Sequence, residues 1–200
     1  MVDAAFYHQT FDQTYFLAGR RYARVKFTPA APTMNSPGAQ QSSPKHGRTP
    51  DEGYYFSGSR FARIKIVPNS RGDTVTAGPW VIAYKLKVPA EFDLIDAAIP
   101  VPGRAGEAYL FRGTSYVRLH IDSGKLTYGP AKISKEWPAL TQAGFDCVDV
   151  ALPVPGKTNG ETCFFYRGSY ARVAVTAGAA DKLIPGPRKI SDYWQTLDST

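Results

Sequence analysis

Cysteine and histidine are scarce in this chain, at two and three residues among 200. Two cysteines, Cys147 and Cys163, cannot build a disulfide framework, nor a zinc site of four thiolates. They are expected as free thiols in a reducing setting. Runs of like charge are also missing. Twenty-four basic residues outweigh 17 acidic ones to give +7, and a positive surface favours anionic partners. The basic residues are dispersed, however, and no run marks a nucleic-acid arm, so a nucleic-acid partner is not expected. No apolar stretch approaches the roughly 20 residues that span a bilayer, which excludes a membrane-crossing helix. The first residues, Met1-Val2-Asp3-Ala4-Ala5-Phe6, place an acid where a secretory leader carries basic residues and then an apolar core. A cytoplasmic or unassigned location is therefore the expectation. Phosphate loops, metalloprotease helices and nucleophile elbows are absent as motifs. All three histidines precede both cysteines, and no spacing pairs a Cys with a His. An enzyme is not expected. Arg71-Gly72-Asp73 matches an adhesion tripeptide, but three residues recur by chance and Gly-Asp is ordinary turn chemistry.

What the chain has in quantity is glycine (18), proline (16) and aromatics (Phe 11, Tyr 12, Trp 3). Many turns and many flat, stiff side chains favour strands over helices. The aromatics are also ordered. Tyr15-Phe16-Leu17-Ala18-Gly19-Arg20-Arg21-Tyr22-Ala23-Arg24-Val25 is followed by Tyr55-Phe56-Ser57-Gly58-Ser59-Arg60-Phe61-Ala62-Arg63-Ile64. Tyr109-Leu110-Phe111-Arg112-Gly113-Thr114-Ser115-Tyr116-Val117-Arg118-Leu119 and Phe164-Phe165-Tyr166-Arg167-Gly168-Ser169-Tyr170-Ala171-Arg172-Val173 complete the set. Each reads as an aromatic strand, a glycine turn and an aromatic-X-Arg-aliphatic strand, which is a β-hairpin. Gly19, Gly58, Gly113 and Gly168 are spaced by 39, 55 and 55 residues, a period expected of one supersecondary unit used repeatedly.

Further segments complete the unit. Asp3-Ala4-Ala5-Phe6, Asp96-Ala97-Ala98-Ile99 and Asp149-Val150-Ala151-Leu152 precede three of the hairpins, and Gln41 takes the Asp position in the second repeat. After the hairpins come Gly78-Pro79, Gly129-Pro130 and Gly186-Pro187, each expected to open a short outer strand, with helical turns leading to Trp137 and Trp194. The first repeat lacks this outer element. The stretch from 28 to 50 is expected as an irregular, mobile link contributing at most one inner strand. Four such units predict an all-β, four-bladed propeller with an abbreviated first blade and a central channel lined by inner strands. The blades are placed at about residues 1–38, 39–93, 94–146 and 147–200. Tyr22, Phe61, Tyr116 and Tyr170 are equivalent positions, expected to pack between blades.

The quoted pattern (Asp-Ala-Ala-hydrophobic, Glu-x-Tyr-x-Phe-x-Gly-x-x-Tyr-x-Arg, Gly-Pro-x-x-Ile) resembles the hemopexin-like family, most closely its legume seed albumin-2 type. Ala177-Gly178-Ala179-Ala180-Asp181-Lys182 through Asp192-Tyr193-Trp194 resembles the last blade of that type. The resemblance implies a non-catalytic binding protein. It also implies a channel cation held by main-chain carbonyls at Asp3, Gln41, Asp96 and Asp149, of a kind such as calcium or sodium. Those aspartates have an alternative role in capping turns. Haem and polyamines are the implied ligand classes; net positive charge weighs against a polyamine. A glycan-binding lectin, agglutinating cells if it forms a homodimer, is the alternative, and a storage or protein-interaction role is a third. With no Cys in the first 146 residues, the clasp that ties first to last blade in vertebrate members is absent.

Two further rows are candidates. His8 and His46 fall at equivalent positions and could ligate haem iron or a transition metal, or else be two exposed loop histidines. His120 is expected at the surface. Arg24, Arg63, Arg118 and Arg172 recur once per repeat. They could form an anion-binding row, or each could stack on a ring or pair with an acid of its own blade.

Overall fold

A computed structural model describes residues 4–8, 13–18, 21–26, 52–65, 67, 72–154, 157, 159–184 and 186–193. The chain is all-β, and the helices among the described residues are no longer than five residues. The first sheet is β1 (Ala4–His8), β2 (Gln13–Ala18) and β3 (Arg21–Lys26) in that order. The second is β4 (Glu52–Ser57), β5 (Arg60–Lys65) and β6 (Thr74–Val81). The third is β7 (Ala97–Pro100), β8 (Glu107–Arg112), β9 (Ser115–His120) and β10 (Lys125–Lys132). The fourth is β11 (Val150–Pro153), β12 (Glu161–Tyr166) and β13 (Ser169–Ala174). Its outer edge is broken into β14 (Lys182–Leu183) and β15 (Arg188–Lys189), which pair with opposite ends of β13. Every pairing is antiparallel, and β11 lies beside both β7 and β1.

The four repeated hairpins are present as β2–β3, β4–β5, β8–β9 and β12–β13. Their registers correct one equivalence expected from the sequence. Gly58 and Gly113 are the first residues of two-residue loops, with φ of 55° and 51°. In the fourth hairpin Arg167 takes that first position, at φ 53°, and Gly168 is second, at φ 96°. The glycines are therefore one step out of register, and the aromatics Phe61, Tyr116 and Tyr170 carry the true repeat. A second correction concerns the outer strands. Gly78-Pro79 and Gly129-Pro130 lie inside β6 and β10 rather than opening them. The register of each strand shifts there, and a shift accommodates a residue that cannot donate to the ladder.

The helical turns expected before Trp137 and Trp194 are α2 (Ile133–Glu136) and α4 (Ile190–Tyr193); α1 (Ile82–Lys85) is a further one after β6, and α3 (Pro138–Gln142) follows α2 directly. No helix among the described residues is long and apolar enough to cross a membrane.

Alternation along β8 and β9 explains how the sheets stack. Tyr109, Phe111 and Tyr116 join Trp137, Ala151, Phe164 and Val173 in one buried cluster between the third and fourth sheets. Leu110, Val117 and Leu119 join Phe61, Ile82, Leu86 and Phe92 in another, between the second and third. Successive side chains point to opposite faces, so a strand covered on both sides must be apolar at every step. Of the blade limits expected near 38, 93 and 146, the first lies outside the described residues.

Candidate functional site

The aspartates that precede β7 and β11 hold hairpin turns. Asp96 Oδ2 accepts from the backbone N–H of Gly113 at 2.6 Å, and its Oδ1 accepts from Arg112 Nη1 at 2.6 Å. Asp149 Oδ2 accepts from the N–H of Arg167 at 2.9 Å. Both amides belong to the first loop residue, which repeats the one-step offset of the glycines. The Asp side chains are thus directed at the turns, and a cation along these strands would be left to main-chain carbonyls. Among the described residues, His, Cys, Asp and Glu side chains form no group of three or more suited to a metal. Asp3 and Gln41 lie outside the described residues.

Of the histidine pair, His8 ends β1 and His46 lies outside the described residues. His8 pairs with Gln13, as the backbone of Val101 meets Glu107 and that of Val154 meets Glu161. Val101 and Val154, the counterparts of His8, are both buried. His120 is half-buried rather than at the surface. It pairs with Glu107, and its Nδ1 is buried without a hydrogen-bond partner. Of the adhesion tripeptide, Asp73 accepts from the Val67 N–H at 2.9 Å, and Arg71 lies outside the described residues.

The repeated arginines meet a repeated glutamate. Arg63 Nε lies 3.8 Å from Glu52 and Arg118 Nε 3.3 Å from Glu107, and Arg172 donates to Glu161 through Nε at 2.8 Å and through Nη2. Arg118 also lies over the Tyr128 ring at 5.8 Å. Burial pushes the Glu161 carboxyl up, but hydrogen bonds from Asn159 and Arg172 and the charge of Arg172 outweigh it and hold the group below its ordinary value. The recurrence of Glu three residues before the Tyr, Leu or Phe (Tyr55, Leu110, Phe164) of these first hairpin strands was the sequence signal for these pairs. In the first repeat Gln13 stands at that register, opposite Lys26 as Glu52 is opposite Lys65.

The seam between the third and fourth sheets opens into a cleft of about 460 Å³, within the range of small-molecule sites, about 300–1,000 Å³. Its walls include Tyr109, Tyr116, Tyr128 and Trp137, with Arg118, Lys135, Glu136 and Asp181 as charged members. Trp137 meets Tyr109 and Tyr116 edge-on at 5.2 and 5.5 Å, and Tyr128 lies 6.0 Å from Tyr116. Burial raises the Tyr116 hydroxyl above its ordinary range, so it stays protonated. Asp181, from the loop before β14, accepts from the Ala139 N–H at the start of α3 at 3.4 Å through Oδ1, while its Oδ2 is buried without a partner. Trp137 Nε1 is likewise buried without a partner.

The matching seam between the second and third sheets is built differently. There Tyr54, the counterpart of Tyr109, donates to the carboxylate of Asp122 across the seam. Ile121 and Val175 make the same backbone bond, to Gly106 and Gly160, so Thr176 stands where Asp122 does. Across from Phe61 stands Trp80, with ring centroids 5.2 Å apart; across from Tyr116 stands Ala131. The sequence reading, which treated the equivalent aromatics as core, missed this cleft. The signal available was the change from Trp80 to Ala131 within otherwise matched outer strands.

No protein-family model matches the chain. Among curated proteins it is similar to Albumin-2 of Lathyrus sativus, 35% identical over 134 residues that cover 65% of this chain and 58% of that protein. Albumin-2 of Pisum sativum is 35% identical over 135 residues, with the same two coverages. The match thus spans less than two thirds of these curated relatives. Among solved structures, a hemopexin fold protein from cow pea superposes with a TM-score of 0.80 at 27% identity, over 98% of this chain and 96% of that one. A plant lectin with two metal binding sites, from Cicer arietinum, gives 0.80 at 25% identity, over 99% and 97%.

Proposed function

We propose that this chain, a relative of the legume albumin-2 proteins in the hemopexin-like family, is a non-catalytic binding protein built as a four-bladed propeller. The four sheets belong to four blades, bounded near residues 38, 93 and 146, and the strands that precede the repeated hairpins, β1, β7 and β11 among the described residues, line a central channel. The observation that carries this reading is the placing of β11 beside both β7 and β1, with the Asp96 and Asp149 side chains withdrawn to the hairpin turns. What faces the axis is then backbone. Carbonyl oxygens at Asp3, Gln41, Asp96 and Asp149 would hold a hard cation, calcium or sodium, supplying charge and rigidity rather than chemistry.

For the outer ligand, a glycan is the class best supported, because a plant lectin shares the fold across nearly the full chain. Haem on His8 and His46, and a polyamine, are the other two classes. The burial of Val101 and Val154, the counterparts of His8, argues against an open rim of imidazoles. Agglutination would require two sites per particle, hence a homodimer.

Two measurements test the reading. Calcium or sodium, added to protein stripped with a chelator and dialysed into a choline buffer, is expected to raise the unfolding free energy by about 2.7 kcal/mol at a hundredfold excess over Kd. Indifference to both cations would remove the channel ion. A glycan panel is expected to give sugar-inhibitable binding, with hemin producing no Soret shift at micromolar concentration. The reverse pattern would transfer the function to haem.

A further inference from the structure

We propose that the open seam between the third and fourth sheets is the saccharide site, taking a neutral sugar ring against Tyr128 and Trp137. The inference rests on the glycan-binding reading above and adds the location and the recognition chemistry.

Three observations carry it. The first is the contrast between neighbouring seams. One is sealed by Tyr54 on Asp122 and filled by Trp80 on Phe61. The other has Thr176 and Ala131 at those positions and holds a cleft of about 460 Å³. Between these two described seams, the opening is thus a departure of one from the other's pattern. The second is the balance of charge. Arg118 and Lys135 face Glu136 and Asp181 in the same walls, and Arg118 is already paired with Glu107 and lies over Tyr128. Neither a polyanion nor a polycation finds a net field there. The third is the polar inventory. Among the buried side-chain atoms of the cleft's lining residues, one donor, Trp137 Nε1, and one acceptor, Asp181 Oδ2, are without partners. Hydroxyl groups both donate and accept, so a sugar can serve the two together, where an ammonium serves only the acceptor and a carboxylate only the donor. The aromatic walls meet the C–H face of the same ring.

The test uses the full chain and the intrinsic fluorescence of its tryptophans. Mono- and disaccharides (galactose, mannose, N-acetylglucosamine, lactose) are titrated into wild type, Tyr128→Ala, Trp137→Phe and Asp181→Asn, each checked for an unchanged cooperative unfolding transition. Tyr128 is 41% exposed, so its truncation spares the core. A fluorescence change in wild type is expected, lost in Trp137→Phe, with binding weakened at least tenfold in Tyr128→Ala and in Asp181→Asn. Sugar binding that persists unchanged in the folded Tyr128→Ala and Asp181→Asn variants overturns the seam site and leaves the glycan reading standing. Silence of wild type toward every sugar overturns both. Quenching of Trp137 by spermine with the sugars silent assigns the cleft to an organic cation instead.

Discussion

Buried ionisable groups in this molecule fall into two kinds, and pH separates them. Burial raises the Asp181 carboxyl above its ordinary 3.8, opposed only by backbone N–H groups. Folding therefore takes up a proton between 3.8 and the raised value, and stability falls as pH climbs through that window. Asp181→Asn keeps an oxygen for the Ala139 N–H and removes the charge. It is expected to be more stable than wild type at neutral pH, with the difference closing as the pH drops toward 3.8. Equal denaturation midpoints at pH 7 would refute this. Glu161 is the opposite case: its lowered carboxyl contributes stability above its unfolded value, and that stability is lost on acidification. The thiols follow the same logic. Burial pushes Cys163 up to about 12 against the pull of Arg172, and Cys147 is raised by burial and by Asp146. Only thiolate reacts, so Ellman's reagent at pH 8 should titrate at most Cys147 in the native protein. Cys163 should appear on unfolding; two fast native thiols would contradict the packing. Cys163 faces Leu152, a partner that hairpin register fixes by counting from the turn.

Hairpins are the elements the sequence announces most clearly, since turn glycine, flanking aromatics and the arginine two residues on are all short-range signals. What it concealed was the one-residue displacement in the fourth. Aligning glycines is natural when glycine supplies positive φ, but Arg167 adopts φ 53° and Gly168 follows at 96°. A two-residue loop with both residues at positive φ favours Asn-Gly. Arg167 has the face of Tyr166, 4.9 Å away, and the bond from its N–H to Asp149 as compensation. Arg167→Asn is accordingly expected to stabilise by about 1 kcal/mol, and Gly113→Ala, at φ 51°, to destabilise by about the same. Thermal unfolding of the two variants checks both signs. Two of the outer strands, β6 and β10, were misread for a related reason, whereas Gly186-Pro187 does precede β15. Proline was taken as a strand opener, whereas Gly129-Pro130 sits within β10, where the ladder slips register to admit it.

For the molecule as a whole, cohesion depends on rings that bridge sheets. Phe164 of the fourth sheet is fully buried and meets Phe111 at 5.8 Å and Trp137 at 5.7 Å. Phe164→Ala should cost about 3–5 kcal/mol, read as a lower midpoint for one cooperative transition. Loss of the fourth sheet alone, with the third intact, would show that the two are independent. Four related units and their order were evident in the sequence because periodicity is written along the chain. Which seam is sealed was not, because Tyr54 and Asp122 are 68 residues apart and only tertiary contact relates them.

That inequality between seams bears on valency. A ring of like repeats suggests as many binding stations as repeats, and crosslinking by a single chain. Here one described seam carries its own plug in Trp80 and the next does not. Between these two described seams, repetition of the architecture is not repetition of the cleft. If that seam takes a sugar as proposed, a single chain could bridge two surfaces only by pairing with a copy of itself, and any agglutination would fall away on dilution below the dimer dissociation constant while affinity for free sugar stayed the same.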